Sequence, residues 1–170
     1  LVDPPSHTRL RALLNQAFTP RLVHSLVPRI EAVVDGLLAP LSANTDVDLV
    51  KALAEPLPVA VIGELLGVSR DAWPRLKTWS THLVSFMGAA RVTVELLQNA
   101  AQAVGELEAF FRSELEARQK TPQNDLLTNL LAAREQGSIL SEQELLSTCC
   151  MALFGGHETT TNLIGNALFH

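Results

Sequence analysis

The stretch Leu153-Phe154-Gly155-Gly156-His157-Glu158-Thr159-Thr160-Thr161 lies inside a long apolar helical run from Leu145 to Phe169, and most of its residues are poor local choices there. A mid-helix glycine costs about 1 kcal/mol relative to alanine, a buried carboxylate is expensive unless paired, and consecutive threonines are β-branched and stiff. Such a conflict marks a site. Gly155 and Gly156 remove side chains, so a ligand can approach the backbone closely. Glu158 and Thr159 set an acid and a hydroxyl beside that gap. A threonine hydroxyl can also bond the carbonyl one turn back and bend the helix, which opens a polar notch able to hold water and relay protons. Two other readings stand beside this one. The glycine pair could end one helix, with His157 in a turn and the threonines capping the next helix, or the notch could be the pocket of a helical small-molecule receptor. His157-Glu158 begins an HExxH pattern, but Thr161 occupies the second histidine position, so no metal site is expected.

With 170 residues, 47% of them hydrophobic and 18% charged, the chain suffices for one cored domain. A net charge of −5 and the lack of a Lys/Arg block argue against a nucleic-acid partner. The two cysteines, Cys149 and Cys150, are adjacent in a helical run and point in different directions, so neither a disulfide framework nor a zinc site is implied and a reducing, cytoplasmic setting is expected. There is no signal peptide, and the longest apolar run is interrupted by polar residues, so no membrane span is expected. The chain opens without Met and closes at Phe169-His170 in mid-pattern, which predicts a piece of something longer.

Along the chain the pattern is mainly α, with at most one short strand. Asp3-Pro4 reads as a cap and first helical residue, and the helix over residues 4–18 carries Leu10, Leu13, Leu14 and Ala17 on one face. His7 and Arg11, four apart on another face, suit an anionic ligand such as a carboxylate, or are simply solvated. Thr19-Pro20 opens a helix over 20–41 that Pro28 should kink or break. Asp46 to Val50 alternates in polarity and is the one weak strand candidate. A nearly all-apolar helix over 51–66, an aromatic-striped helix over 70–87, a link at Gly88-Ala89-Ala90 and a helix over 91–120 follow; the last two helices could move together as a lid. A helix over 125–136 stops at Gly137, and Ser141-Glu142-Gln143-Glu144 is a capping box for the final helix.

Two stretches together resemble the bacterial cytochromes P-450, the haem-thiolate monooxygenases. Asp3 to Arg11 with Ala17-Phe18-Thr19-Pro20-Arg21 is similar to that family's C helix, and Gly155-Gly156-His157-Glu158-Thr159-Thr160 to the oxygen-binding motif of its I helix. Asp48-Leu49-Val50 and Pro56-Leu57-Pro58 before Val61 to Gly67 look like its E-helix region. The resemblance implies a single partial domain over 1–170, helices C to I of that fold. It implies that His7 and Arg11 bind haem propionates, that Gly155 and Gly156 pass over the haem, and that Glu158 and Thr159 are the catalytic acid-alcohol pair that delivers protons during dioxygen activation. By position, Met151, Phe154, Phe86 and Met87 would touch substrate.

The family's axial cysteine loop and its Glu-x-x-Arg helix have no counterpart in this chain, and Cys149 and Cys150 lie too far up the distal helix to replace them. The resemblance therefore implies a fragment of a cytoplasmic enzyme that uses haem, a small apolar substrate and a ferredoxin-type redox partner, with the 170 residues alone inactive. The alternative is a truncated, non-catalytic helical module that self-associates, as a homodimer through residues 145–170, because an uncovered apolar helix favours association.

Overall fold

A computed structural model describes residues 3–41, 46–135 and 141–169, and every regular element among them is a helix or helical turn. The helices are α1 (Ser6–Ala17), α2 (Pro20–Leu38), α3 (Pro56–Leu66), α4 (Trp73–Met87), α5 (Val94–Lys120), α6 (Leu126–Glu135) and α7 (Glu142–Phe169). A π-helical turn, Val50–Ala54, leads into α3, and a 3-10 turn, Arg70–Ala72, leads into α4. The expected stop at Gly137 and the Leu13 side chain lie outside the described residues.

Helix starts follow local chemistry. Thr19 Oγ1 accepts from the Leu22 amide at 3.1 Å with Pro20 in the first position, and Thr93 Oγ1 accepts from Leu96 at 3.2 Å. The capping box forms reciprocally: the Glu144 amide donates to Ser141 Oγ at 3.1 Å, and the Ser141 amide donates to Glu144 Oε2 at 2.9 Å.

Two local expectations are corrected and a third, at Pro28, loses its break. No strand forms at Asp46 to Val50, because Asp48 Oδ1 takes the amides of Val50 and Lys51 at 3.1 and 3.2 Å and starts the π-helical turn instead. Asp3 does not cap α1; its carbonyl accepts from the His7 amide at 3.1 Å, and the helix begins at Ser6 without a side-chain cap. Helix α2 runs through Pro28 unbroken. Proline removes one donor, the bond to the His24 carbonyl, and both residues are exposed, so water can satisfy that carbonyl.

The core is built around α7, which buries Leu145, Leu146, Cys149, Leu153 and His157 against α3, α4 and α5. Helix α4 lies along α5, where Trp79 Nε1 donates to Glu106 and the Arg75 guanidinium stacks 4.7 Å from the Trp79 ring. Helix α1 is seated from both sides. Asn129 Nδ2 of α6 donates to the Ala17 carbonyl at 2.9 Å, and Arg9 pairs with Glu144, the capping-box acid of α7.

A buried charge knot closes the far end. Arg118 donates through Nε to Asp125 Oδ2 at 2.9 Å, and also reaches Glu114 and the Gly67 carbonyl. Asp125 Oδ1 meanwhile accepts from the Thr128 amide at 2.8 Å and caps α6. Gly67 has φ +71°, and a Cβ there would stand 2.2 Å from Asp125 Oδ2, so only glycine fits the turn after α3.

Asp125→Ala leaves the Arg118 charge buried and unpaired, and is expected to cost about 3–5 kcal/mol. The exposed pair Arg112–Glu142, with side chains 52% and 59% exposed against 5% and 2% in the knot, should lose no more than about 1 kcal/mol on Arg112→Ala. Urea unfolding of the two variants checks the contrast.

Candidate functional site

Helix α1 forms one wall of an apolar groove of about 490 Å³, giving Leu14 and Phe18; α3 gives Ile62 and Leu65, and α7 gives Met151, Gly155 and Gly156. His7, Arg11, Leu14 and Phe18 recur at i, i+4, i+7 and i+11, so the wall continues along the same face of α1 into two cationic or hydrogen-bonding heads. Both heads are exposed, and among the described residues neither pairs with an acid. An apolar trough beside two donors on the same helix face suits an apolar molecule that carries anionic groups.

Opposite α1, helix α7 passes the glycine pair without a break, so the pair does not end a helix. Thr159 Oγ1 donates to the Gly155 carbonyl at 2.7 Å, the one-turn-back bond expected of a threonine here. Met151, Gly155 and Thr159 lie four apart, which sets the Thr159 hydroxyl one turn beyond Gly155 along the groove-facing stripe. Glu158 is half-buried and accepts from Asn162 Nδ2 of its own helix at 3.4 Å. An acid and an alcohol thus follow the groove-lining glycines by one turn or less along α7.

The two glycines differ. A Cβ on Gly155 would meet nothing within 4 Å, whereas one on Gly156 would lie 2.9 Å from Ile62 Cδ1. Gly155 leaves the groove open; Gly156 lets α7 and α3 approach closely. His157 turns away from the groove and is only 3% exposed, with Nδ1 2.9 Å from Ser80 Oγ of α4. Burial holds its pKa below the ordinary imidazole value, so the ring is neutral near pH 7.

Of the proposed substrate contacts, Met151 lines the groove, while the half-buried Phe154 does not. Phe86 and the 65% exposed Met87 sit at the C-terminal end of α4, also outside the groove lining. Burial pushes the Cys149 thiol up to about 12 and the Cys150 thiol up to about 11, so both stay protonated at neutral pH. Leu14, Phe18, Ile62 and Leu65 line the groove although the sequence marked none of them as a site residue, and Phe18 continues the spacing of His7, Arg11 and Leu14.

Gly155→Ala should raise the stability of the chain by about 0.5–1 kcal/mol through helix propensity. Gly156→Ala should gain less, because Ile62 must move, and the difference should vanish in an Ile62→Val background that lacks the crowding methyl. Denaturation midpoints of the single and paired variants decide this.

No family model matches the chain. It is 44% identical over 168 residues to cytochrome P450 107B1 of Saccharopolyspora erythraea, covering 98% of this chain and 39% of that protein. With the vitamin D(3) 25-hydroxylase of Pseudonocardia autotrophica it shares 41% identity over 169 residues, 99% of this chain and 40% of the relative. Among solved structures, that of CYP109E1 from Bacillus megaterium in complex with testosterone superposes with a TM-score of 0.85 at 36% identity, over 99% of this chain and 44% of the other. Identity of this order over nearly every residue, on a shared helical frame, makes this chain a member of the bacterial cytochrome P450 family that spans 39–44% of the length of these three relatives.

Proposed function

We propose that this chain forms the distal wall of the haem pocket in a P450 monooxygenase, which inserts one oxygen atom of dioxygen into a small apolar organic substrate. The observation that carries the reading is the apolar trough with His7 and Arg11 on the Leu14–Phe18 face of α1 and the open Gly155 on α7. The residues fit haem: its macrocycle needs an apolar floor without a side chain at Gly155, and its propionates need the donors of His7 and Arg11. Gly156 contributes by holding α7 close to α3. When bound, haem supplies the one-electron and dioxygen chemistry.

The chain's own residues manage protons. The Glu158 carboxyl exchanges protons with water at the half-buried end of the notch, and the Thr159 hydroxyl, whose single proton goes to the Gly155 carbonyl, accepts from that water. Met151 lies where a substrate would meet the groove, with Phe154, Phe86 and Met87 as further contacts once the remaining walls are in place. A vitamin D(3) hydroxylase among the relatives and a testosterone-bound neighbour support an apolar substrate. A ferredoxin-type electron donor belongs to the same reading, as does a cytoplasmic location, which suits two free thiols. No helix among the described residues is long and apolar enough to cross a membrane.

Taken by themselves, the 170 residues offer no thiolate, and we read them as inactive. A second reading, self-association through residues 145–170, is favoured by Met151, Leu163 and Leu168, which are 56%, 69% and 46% exposed on α7. It predicts a dimer at micromolar concentration in a sizing experiment, and a monomer there would count against it.

The deciding measurement is an absorption spectrum of the chain with added haem, reduced under carbon monoxide. No thiolate-type red-shifted Soret band is expected, and its appearance would overturn the claim that the chain is inactive alone. In a haem-loaded chain of the relatives' length, Glu158→Gln should slow turnover on the order of 10²-fold, and Arg11→Ala should weaken haem retention. Wild-type turnover in Glu158→Gln would remove the relay role.

A further inference from the structure

One polar contact in the core belongs to neither the groove nor the charge knot. Ser80 is 0% exposed and His157 3% exposed, and their side chains meet at 2.9 Å between α4 and α7. Among the described residues this is the one side-chain hydrogen bond joining these two helices. It falls on the residue immediately before Glu158.

The turn it holds is soft by composition. Two successive glycines weaken the helix there, and the Thr159 hydroxyl competes for the Gly155 carbonyl. Among the described residues Glu158 is held only by Asn162, on its own helix and at a long 3.4 Å. Its direction is therefore set by how α7 is rotated about its axis at this turn. Beside the buried stripe of α7, two external contacts bear on that rotation at this turn, the close approach of Gly156 to Ile62 on one side and the His157–Ser80 bond on the other. The first is apolar and tolerates sliding, whereas the second is directional and costly to leave unmade in a dry core.

We propose that Ser80 and His157 are positioning residues, a latch through which the seating of α4 sets the direction of the Glu158 carboxylate. The inference rests on the relay reading of Glu158 for its consequence, but its geometry does not depend on haem. A neutral imidazole has one donor and one acceptor and matches a hydroxyl, which can serve as either. The charged groups around the ring are Lys77 on α4, Glu55 ahead of α3 and Glu158 itself. Lys77 and Glu55 pair with each other at 2.7 Å, which leaves the hydroxyl as the ring's directional partner.

The test is amide hydrogen exchange in the 170-residue chain, comparing Ser80→Ala, His157→Leu and His157→Asn. Ser80→Ala and His157→Leu should speed exchange at residues 155–161 at least tenfold beyond any change at residues 103–111 of α5. His157→Asn, whose amide falls near the position of Nδ1, should restore most of the protection. Uniform acceleration along both helices, or none, would reduce the pair to ordinary packing and overturn the proposal. In a haem-loaded chain of the relatives' length, Ser80→Ala should also raise the hydrogen peroxide released per reducing equivalent several-fold. Unchanged peroxide release with the local exchange effect present would show that the latch does not govern Glu158, and would overturn that part. Should no haem bind at all, the monooxygenase reading falls, while the exchange result still decides whether the latch exists.

Discussion

The contact between Gly156 and Ile62 sets how closely α7 approaches α3 in this molecule. Adding one carbon at Gly156 would bring it to 2.9 Å from Ile62 Cδ1, so the close approach of α7 to α3 depends on the absence of that carbon. With the axis of α7 fixed there, helical geometry distributes its neighbours. Leu145, Cys149, Leu153 and His157, four apart, face the core, while Met151 and Gly155 turn toward the groove. A wider spacing between α3 and α7 would part both stripes from their partners.

Stability and chemistry are kept on different parts of the chain. The Arg118 knot joins α5, the start of α6 and the turn after α3, far along the chain from the glycine notch, and it uses its charges completely. On α1 the division is finer. Arg9 is consumed in docking, because Glu144 accepts from the Ser141 amide and from Arg9 together, and these contacts hold its carboxyl below the ordinary range. His7 and Arg11, on a different face, are left exposed above the groove. One short helix therefore carries a cation that seats it and two heads that a ligand could take, and the difference follows from helical phase alone.

How far this could be read in advance depended on range. The capping box and the Thr19-Pro20 helix start were legible because their partners lie within one turn. The failed strand at Asp46 to Val50 was a local competition, in which alternation of polarity suggested extension while the Asp48 side chain captured the next amides and bent the chain into a helix. Gly155 and Gly156 are identical as letters, and only the presence of α3 on one side makes one a gap and the other a contact. Ser80 and His157 are 77 positions apart, so no local pattern announces the bond between them.

A soft turn held from outside also accounts for the cost of the motif. If the backbone of α7 fixed Glu158 rigidly, two glycines and a back-bonded threonine would merely be a defect of about 1 kcal/mol per glycine. A relay acid, however, has to reach both bulk water and the interior, and a rigid helix would hold it at one of them. Local weakness lets the turn move, and an anchor on a neighbouring helix limits how far. The bond from His157 to Ser80 suits that purpose because it is buried, directional and neutral: it can break and re-form without moving a charge through the core. With the relay role proposed for Glu158, the residues that make this stretch a poor helix are those that let its turn move.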